Sequence, residues 1–129
     1  METRAPYAPT TDQLVVEVFA RDIEASKRFY THLGFELLED RGDFVEFAWE
    51  GHKLFLDARP DQPPVTAQPQ ANMRIMVPDV DRYWELAGEL GATVLAPIED
   101  RSYGLRDFTV LDPDGFGLRF GTWQGSSGH

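Results

Sequence analysis

Four charged residues stand inside short apolar runs of this chain: Glu17 in LVVEVFA, Asp57 in HKLFLDA, Arg74 in NMRIM and Arg119 in GLRFG. Carboxylates in such places could catch an ion weakly or move a proton, and guanidiniums could stabilise charge. Proton transfer needs a carboxylate with a perturbed pKa and a partner within hydrogen-bond reach, which a sequence does not report. Other chemistry is thin. With no cysteines, disulfides, zinc–thiolate sites, iron–sulfur clusters and thiol nucleophiles are excluded. The three histidines are scattered: His32 at a helix end, His52 in a turn and His129 in the tail GSSGH. No Ser-His-Asp arrangement or nucleotide motif is visible, and the glycines of AGELGA and DPDGFG read as a helix end and a turn.

The elements that must position these residues fit one domain, because 129 residues with 42% hydrophobic and 12% aromatic content suit a packed core. The net charge of −10 disfavours nucleic acid and favours a cationic ligand, although such charge also serves solubility. No apolar run approaches the roughly 20 residues that span a bilayer. The start, METRAPYAPTT, lacks the apolar stretch of a secretory signal. The expectation is a cytoplasmic protein with neither a membrane nor a nucleic-acid partner.

Leu14–Ala20 has the β-branched and aromatic composition of a strand. A helix over Ile23–Leu33 follows, with Asp22 as N-cap and Gly34 as its stop. Ile23, Ser26, Phe29, Tyr30 and Leu33 give it one buried stripe. FELLED, DFVEFAW and HKLFLDA are three more strands, the last two joined by a tight turn through Glu50 and Gly51. Residues 59–71, RPDQPPVTAQPQA, form a proline-rich linker. The pattern then returns. NMRIM, a helix capped by Asp79 and ending at Leu90-Gly91, RDFTVLD and GLRFG repeat the first half at an offset of 57 residues, from Asp22 to Asp79. APIEDRSYGL sits where a further element or a mobile segment belongs. The organisation is two βαβββ modules, residues 12–58 and 72–123, with flexible tails at 1–11 and 124–129. One module cannot cover its own sheet, so the fold class expected is α+β, with a curved mixed sheet around a ligand cavity.

Alternation sets the phase of the first strand. Leu14, Val16 and Val18 face the helix, whereas Val15, Glu17 and Phe19 face the cavity. The repeat carries these last three to Asn72, Arg74 and Met76. The phase of DFVEFAW stays open, so Glu46 or Trp49 could point inward.

Paired modules of this kind resemble the vicinal oxygen chelate superfamily, which includes glyoxalase I, extradiol dioxygenases and bleomycin-resistance proteins. The stretches ARDIEASKRFYTHLGF, VPDVDRYWELAGELGA and YGLRDFTVLDPDGFGLRF carry the resemblance. It implies divalent-metal ligands on the first and last strands of each module, which correspond here to Val15, Phe55, Asn72 and Arg119. None is a histidine or a carboxylate, and a guanidinium repels a metal ion. The resemblance is therefore closest to the metal-free bleomycin-resistance type: a small-molecule binding protein without cofactor or catalytic residue, and a homodimer. A glyoxalase-like or dioxygenase-like enzyme, metal-free or metal-dependent, is the alternative. The ligand-binding residues implied are Glu17, Phe19, Trp49, Phe55 and Asp57 in the first module. Asn72, Arg74, Met76, Tyr103, Arg119 and Trp123 complete the set in the second. Glu17 with Arg119, or Asp57 with Arg74, could instead neutralise each other inside a core.

Overall fold

The runs around Glu17 and Arg74 become strands, and each of these two strands leads into a ten-residue helix. The computed structural model describes residue 5, residues 7–63, residue 69 and residues 71–124. The chain divides into two units, Met1–Gln62 and Pro63–His129. The first runs β1 (Val16–Ala20), α1 (Ile23–His32), β2 (Glu36–Asp40), β3 (Phe44–Trp49) and β4 (His52–Ala58). The second runs β5 (Asn72–Met76), α2 (Val80–Glu89), β6 (Thr93–Asp100), β7 (Leu105–Leu111) and β8 (Gly117–Trp123). The sheets have the same mixed topology, β1-β4-β3-β2 and β5-β8-β7-β6, with the first strand parallel to the last and the other pairs antiparallel. The fold class is α+β, two βαβββ modules.

One face of each sheet is covered by its helix. In the first unit Ser26, Phe29, Tyr30 and Leu33 are buried, as the helical spacing requires, with Phe47, Leu54 and Leu56 among the buried strand residues. Tyr30 meets Phe35 edge to face at 5.2 Å. In the second unit Tyr83 stacks on Phe120 and Trp84 meets Phe108, both at 5.1 Å. Each fully buried Leu or Phe contributes about 1.5–3 kcal/mol, so these stripes hold the helices in place.

The two helices start differently. The Asp22 carboxylate accepts from Ala25 N at 3.1 Å, a side-chain N-cap. Asp79 occupies the N-cap position of α2 but makes no capping bond with its side chain. Thr122 Oγ1 instead accepts from Val80 N at 2.9 Å and donates to Val77 O at 2.7 Å, tying the start of α2 to β8. The β3–β4 turn uses positive φ at both Glu50 and Gly51 (49° and 84°), a turn whose twist matches a hairpin.

Three expectations change. β1 begins at Val16, after a 3₁₀ turn over Thr10–Asp12, so Leu14 is 92% exposed and does not pack on α1. The start of APIEDRSYGL belongs to β6, with Pro97 inside the strand. Pairing with β7 shifts register twice, between Val94 and Ala96 and between Ala96 and Glu99. An edge strand tolerates the proline because its missing N–H faces away from the ladder. The linker opens with an ordered turn: Arg59 N donates to Ala20 O and Gln62 N to Arg59 O. The rest of the linker falls largely outside the described residues, as do His129 and much of both expected tails.

Candidate functional site

The face of each sheet opposite its helix carries the candidate side chains, and register fixes their neighbours. In the second unit β5, β8, β7 and β6 align Arg74, Arg119, Thr109 and Ala96 in one row. The next row is Met76, Gly121, Asp107 and Glu99. Asp107, 1% exposed, organises this face. Its Oδ2 accepts from Arg119 Nε at 3.0 Å and from the Tyr103 hydroxyl at 2.7 Å, while Oδ1 accepts from Arg101 Nε at 2.7 Å. Arg119 also donates to the Tyr103 hydroxyl, and its guanidinium lies 5.4 Å from the Tyr103 ring centre. Arg101 bonds Glu99, Pro97 O and Asp107 O in addition. Burial first, then repulsion from Arg74 and Arg101, pull the Arg119 pKa below its ordinary value.

The opening DPDG turn sets the height of Arg119 on β8. Asp112 Oδ1 accepts from Asp114 N and Phe116 N, each at 2.8 Å, and Gly115 turns the chain at φ 90°. β8 then starts at Gly117, where a β-carbon would strike the Asn72 carboxamide. Asn72 is thus packed over its neighbouring strand. Met76 and Trp123, 36% and 50% exposed, share the open face with Arg119.

In the first unit the corresponding row is Glu17, Phe55, Glu46 and Glu39, followed by Phe19, Asp57 and Phe44. Phe44 and Phe55 pack with ring centres 5.1 Å apart. The Arg59 guanidinium sits 4.3 Å from the centre of the Phe19 ring and donates to Asp57 Oδ2 at 2.8 Å. Gln62 Nε2 donates to Phe19 O at 3.3 Å. Glu46 therefore stands on the open face. Trp49 lies on the opposite one, 4.9 Å from Phe35 and against Gly34. In the first unit Glu17, Phe19, Phe55 and Asp57 share one face, and in the second Arg74, Met76, Tyr103, Arg119 and Trp123 gather around one sheet.

Sequence reasoning missed Asp107, Arg101, Phe44 and Arg59. The alternation of RDFTVLD sets Asp107 and Thr109 on one side and Phe108 and Val110 on the other, and that polar side was the signal that could have found Asp107. Within each unit the ion pairs are local, with Arg119 on Asp107 and Asp57 on Arg59. A cleft between α2 and β6, lined by Trp84, Ala87 and Val94 among others, contains none of the candidate residues.

A divalent ion at the positions implied by resemblance would need donors from Val15, Phe55, Asn72 and Arg119. Two have no donor atom, one is an exposed carboxamide lying over Gly117, and the last is a cation already held by Asp107. That set does not fit a metal. Among the described residues no three His, Asp or Glu side chains are grouped as ligands would be. No helix among them is long and apolar enough to cross a membrane.

The sequence model described as the Glyoxalase/Bleomycin resistance protein/Dioxygenase superfamily matches residues 12–120. No curated protein matches the chain. Among solved structures, a protein of unknown function from Agrobacterium tumefaciens is similar at 25% identity with a TM-score of 0.73, covering 90% of this chain and 97% of that one. A glyoxalase/bleomycin resistance protein/dioxygenase family enzyme from Burkholderia phytofirmans gives 22% and 0.72, covering 84% and 96%. A bleomycin resistance determinant encoded on the transposon Tn5 gives 20% and 0.68, covering 88% and 98%. The last two likenesses show the fold alone.

Proposed function

The chain belongs to the glyoxalase/bleomycin resistance protein/dioxygenase superfamily, and from that premise we propose that it is a metal-independent binding protein sequestering a cationic, aromatic small molecule, an antibiotic of the bleomycin type. One observation carries the reading. On the open face of the first unit the chain's own Arg59 guanidinium lies over Phe19 and bonds Asp57, so this corner accepts a planar cation. Glu17 and Glu46 flank it across Phe55. Cation–π contact of this kind contributes about 0.5–2 kcal/mol, and a guest with several flat or cationic groups sums such terms. The protein acts in the cytoplasm as a homodimer; Leu37 and Leu38, about half exposed on edge strand β2, support a self-contact.

The test is a melting-temperature screen with bleomycin, phenyltrimethylammonium and divalent metal salts. Because a ligand that binds only the native state stabilises it by about 2.7 kcal/mol at a hundredfold excess over Kd, a bound drug raises Tm clearly. Bleomycin or the organic cation should do so, and Phe19→Ala or Asp57→Asn should weaken the effect. A shift with metals alone, or none with any compound, overturns the proposal.

A second reading, a metal-free enzyme of the same superfamily, is favoured by the Tyr103 hydroxyl held between Asp107 and Arg119, a place for proton transfer. Turnover of a bound compound, abolished by Tyr103→Phe, would establish it.

A further inference from the structure

We infer that Arg74 and Arg119 form an oxyanion site on the open face of the second unit, shaped for a carboxylate or phosphate group on a partly apolar molecule. The two are in-register neighbours on parallel strands, hence about 4.8 Å apart in the pairing direction and on the same face. Like charges placed directly opposite one another destabilise a sheet. In a chain with 22 acidic and 12 basic residues, a carboxylate beside Arg74 would have been the ordinary arrangement. Arg74 is exposed and forms no ion pair with the described residues of its unit.

The local charge does not balance. Arg74, Arg101 and Arg119 face two carboxylates, Asp107 and Glu99, and Arg101 takes a share of both. Arg119 spends Nε and Nη2 on Asp107 and Tyr103 and keeps Nη1 to give. Held on two sides, it loses little freedom when an anion arrives, and an ordered fork is what two oxygens of one group require. Burial first, and after it the repulsion from Arg74 and Arg101, holds the Arg119 pKa below its ordinary value. Met76 and Trp123, exposed on the same sheet face, would contact an apolar body attached to the anionic group.

The inference stands apart from the cation reading, which concerns the first unit. Calorimetric titration with phenylphosphate and with benzoate, at constant ionic strength set by chloride, tests it. Saturable binding of either supports the site, and the tighter probe identifies phosphate or carboxylate as the preferred group. Arg74→Gln, at an exposed position and relieving one of two facing like charges, should not lower the melting temperature of the free protein and should weaken the anion about tenfold, the loss of one charge-assisted contact. Arg74→Lys should recover part of it. If neither anion binds the wild-type protein, or Arg74→Gln binds as tightly, the inference is wrong. Phenyltrimethylammonium and bleomycin in the same titration keep the two readings separable: a protein that binds anions but neither of these loses the first reading and keeps this one.

Discussion

Phe44 and Phe55 of the first unit occupy the register positions that Asp107 and Arg119 occupy in the second. One diagonal pair is two rings 5.1 Å apart, and the other is an ion pair at 2.9 Å. Beside them, Glu17 of β1 corresponds to Arg74 of β5. The helix-covered faces differ far less. Val45, Phe47, Leu54 and Leu56 correspond to Phe108, Val110, Leu118 and Phe120, all apolar and all buried. A duplicated scaffold is thus held by what its helices demand, because each core position must fill a fixed volume. The open faces carry no such demand, and they have taken opposite chemistry: acidic and aromatic in one unit, guanidinium-rich in the other.

The hardest way to break this contrast is Asp107→Ala. It leaves Arg101 and Arg119 without the buried carboxylate they share, and we expect a loss of about 3–5 kcal/mol in urea unfolding. Asp107→Phe combined with Arg119→Phe transplants the ring pair of the first unit and should recover part of that loss, because it removes the stranded Arg119 charge and leaves Arg101 with Glu99. A double variant no more stable than Asp107→Ala would show that the two faces are not interchangeable. Next in size, Phe44→Ala in the first unit should cost about 1–3 kcal/mol, below the full core value because the ring is half-buried.

A smaller contrast lies at the helix starts. Asp22→Ala should cost about 1 kcal/mol, and Thr122→Val a similar amount, since each removes the bond that serves the first turn. Asp79→Ala should cost much less, its carboxylate making no capping bond. Thermal unfolding of the three variants checks the order.

The smallest effect is electrostatic. Lys27 holds Asp40 of β2, and Arg106 holds Asp81 of α2, so both carboxyls titrate below their ordinary value of 3.8. A lowered folded-state pKa gives stability that is present above 3.8 and lost as pH falls through the folded value. The difference between wild type and Asp81→Asn should therefore stay flat from neutral pH down to the ordinary carboxyl value and shrink below it. Stability measured against pH reads this directly, and a difference that grew in acid would contradict the pairing.

The repeat, both helices and the face alternation of β1 and β5 were legible because alternation and caps are local. Glu17, Phe19, Asn72, Arg74 and Met76 are the exposed positions of their strands, and Val18, Ala20 and Ile75 the buried ones. β6 was obscured because its two register shifts and Pro97 erase the alternation that marks a strand. The organising role of Asp107 was hidden for another reason. Its partners come from Arg101 and Tyr103 in a turn and from Arg119 on the next strand, and no sequence spacing encodes that meeting. Trp49 shows the limit of composition: an aromatic beside a candidate face proved to be packed on the other side, against Phe35.

Among the described residues β1 pairs with β4 alone, and β5 with β8 alone. The first strand of each unit to be synthesised must therefore wait for the last before it has a hydrogen-bonding partner. The β3–β4 and β7–β8 hairpins close short loops and can form early, whereas the parallel strands dock only after a long loop is closed. Glu17, Phe19, Arg74 and Met76 ride on those late-docking strands, so a nascent chain completes its open sheet faces at the end of folding rather than at the beginning.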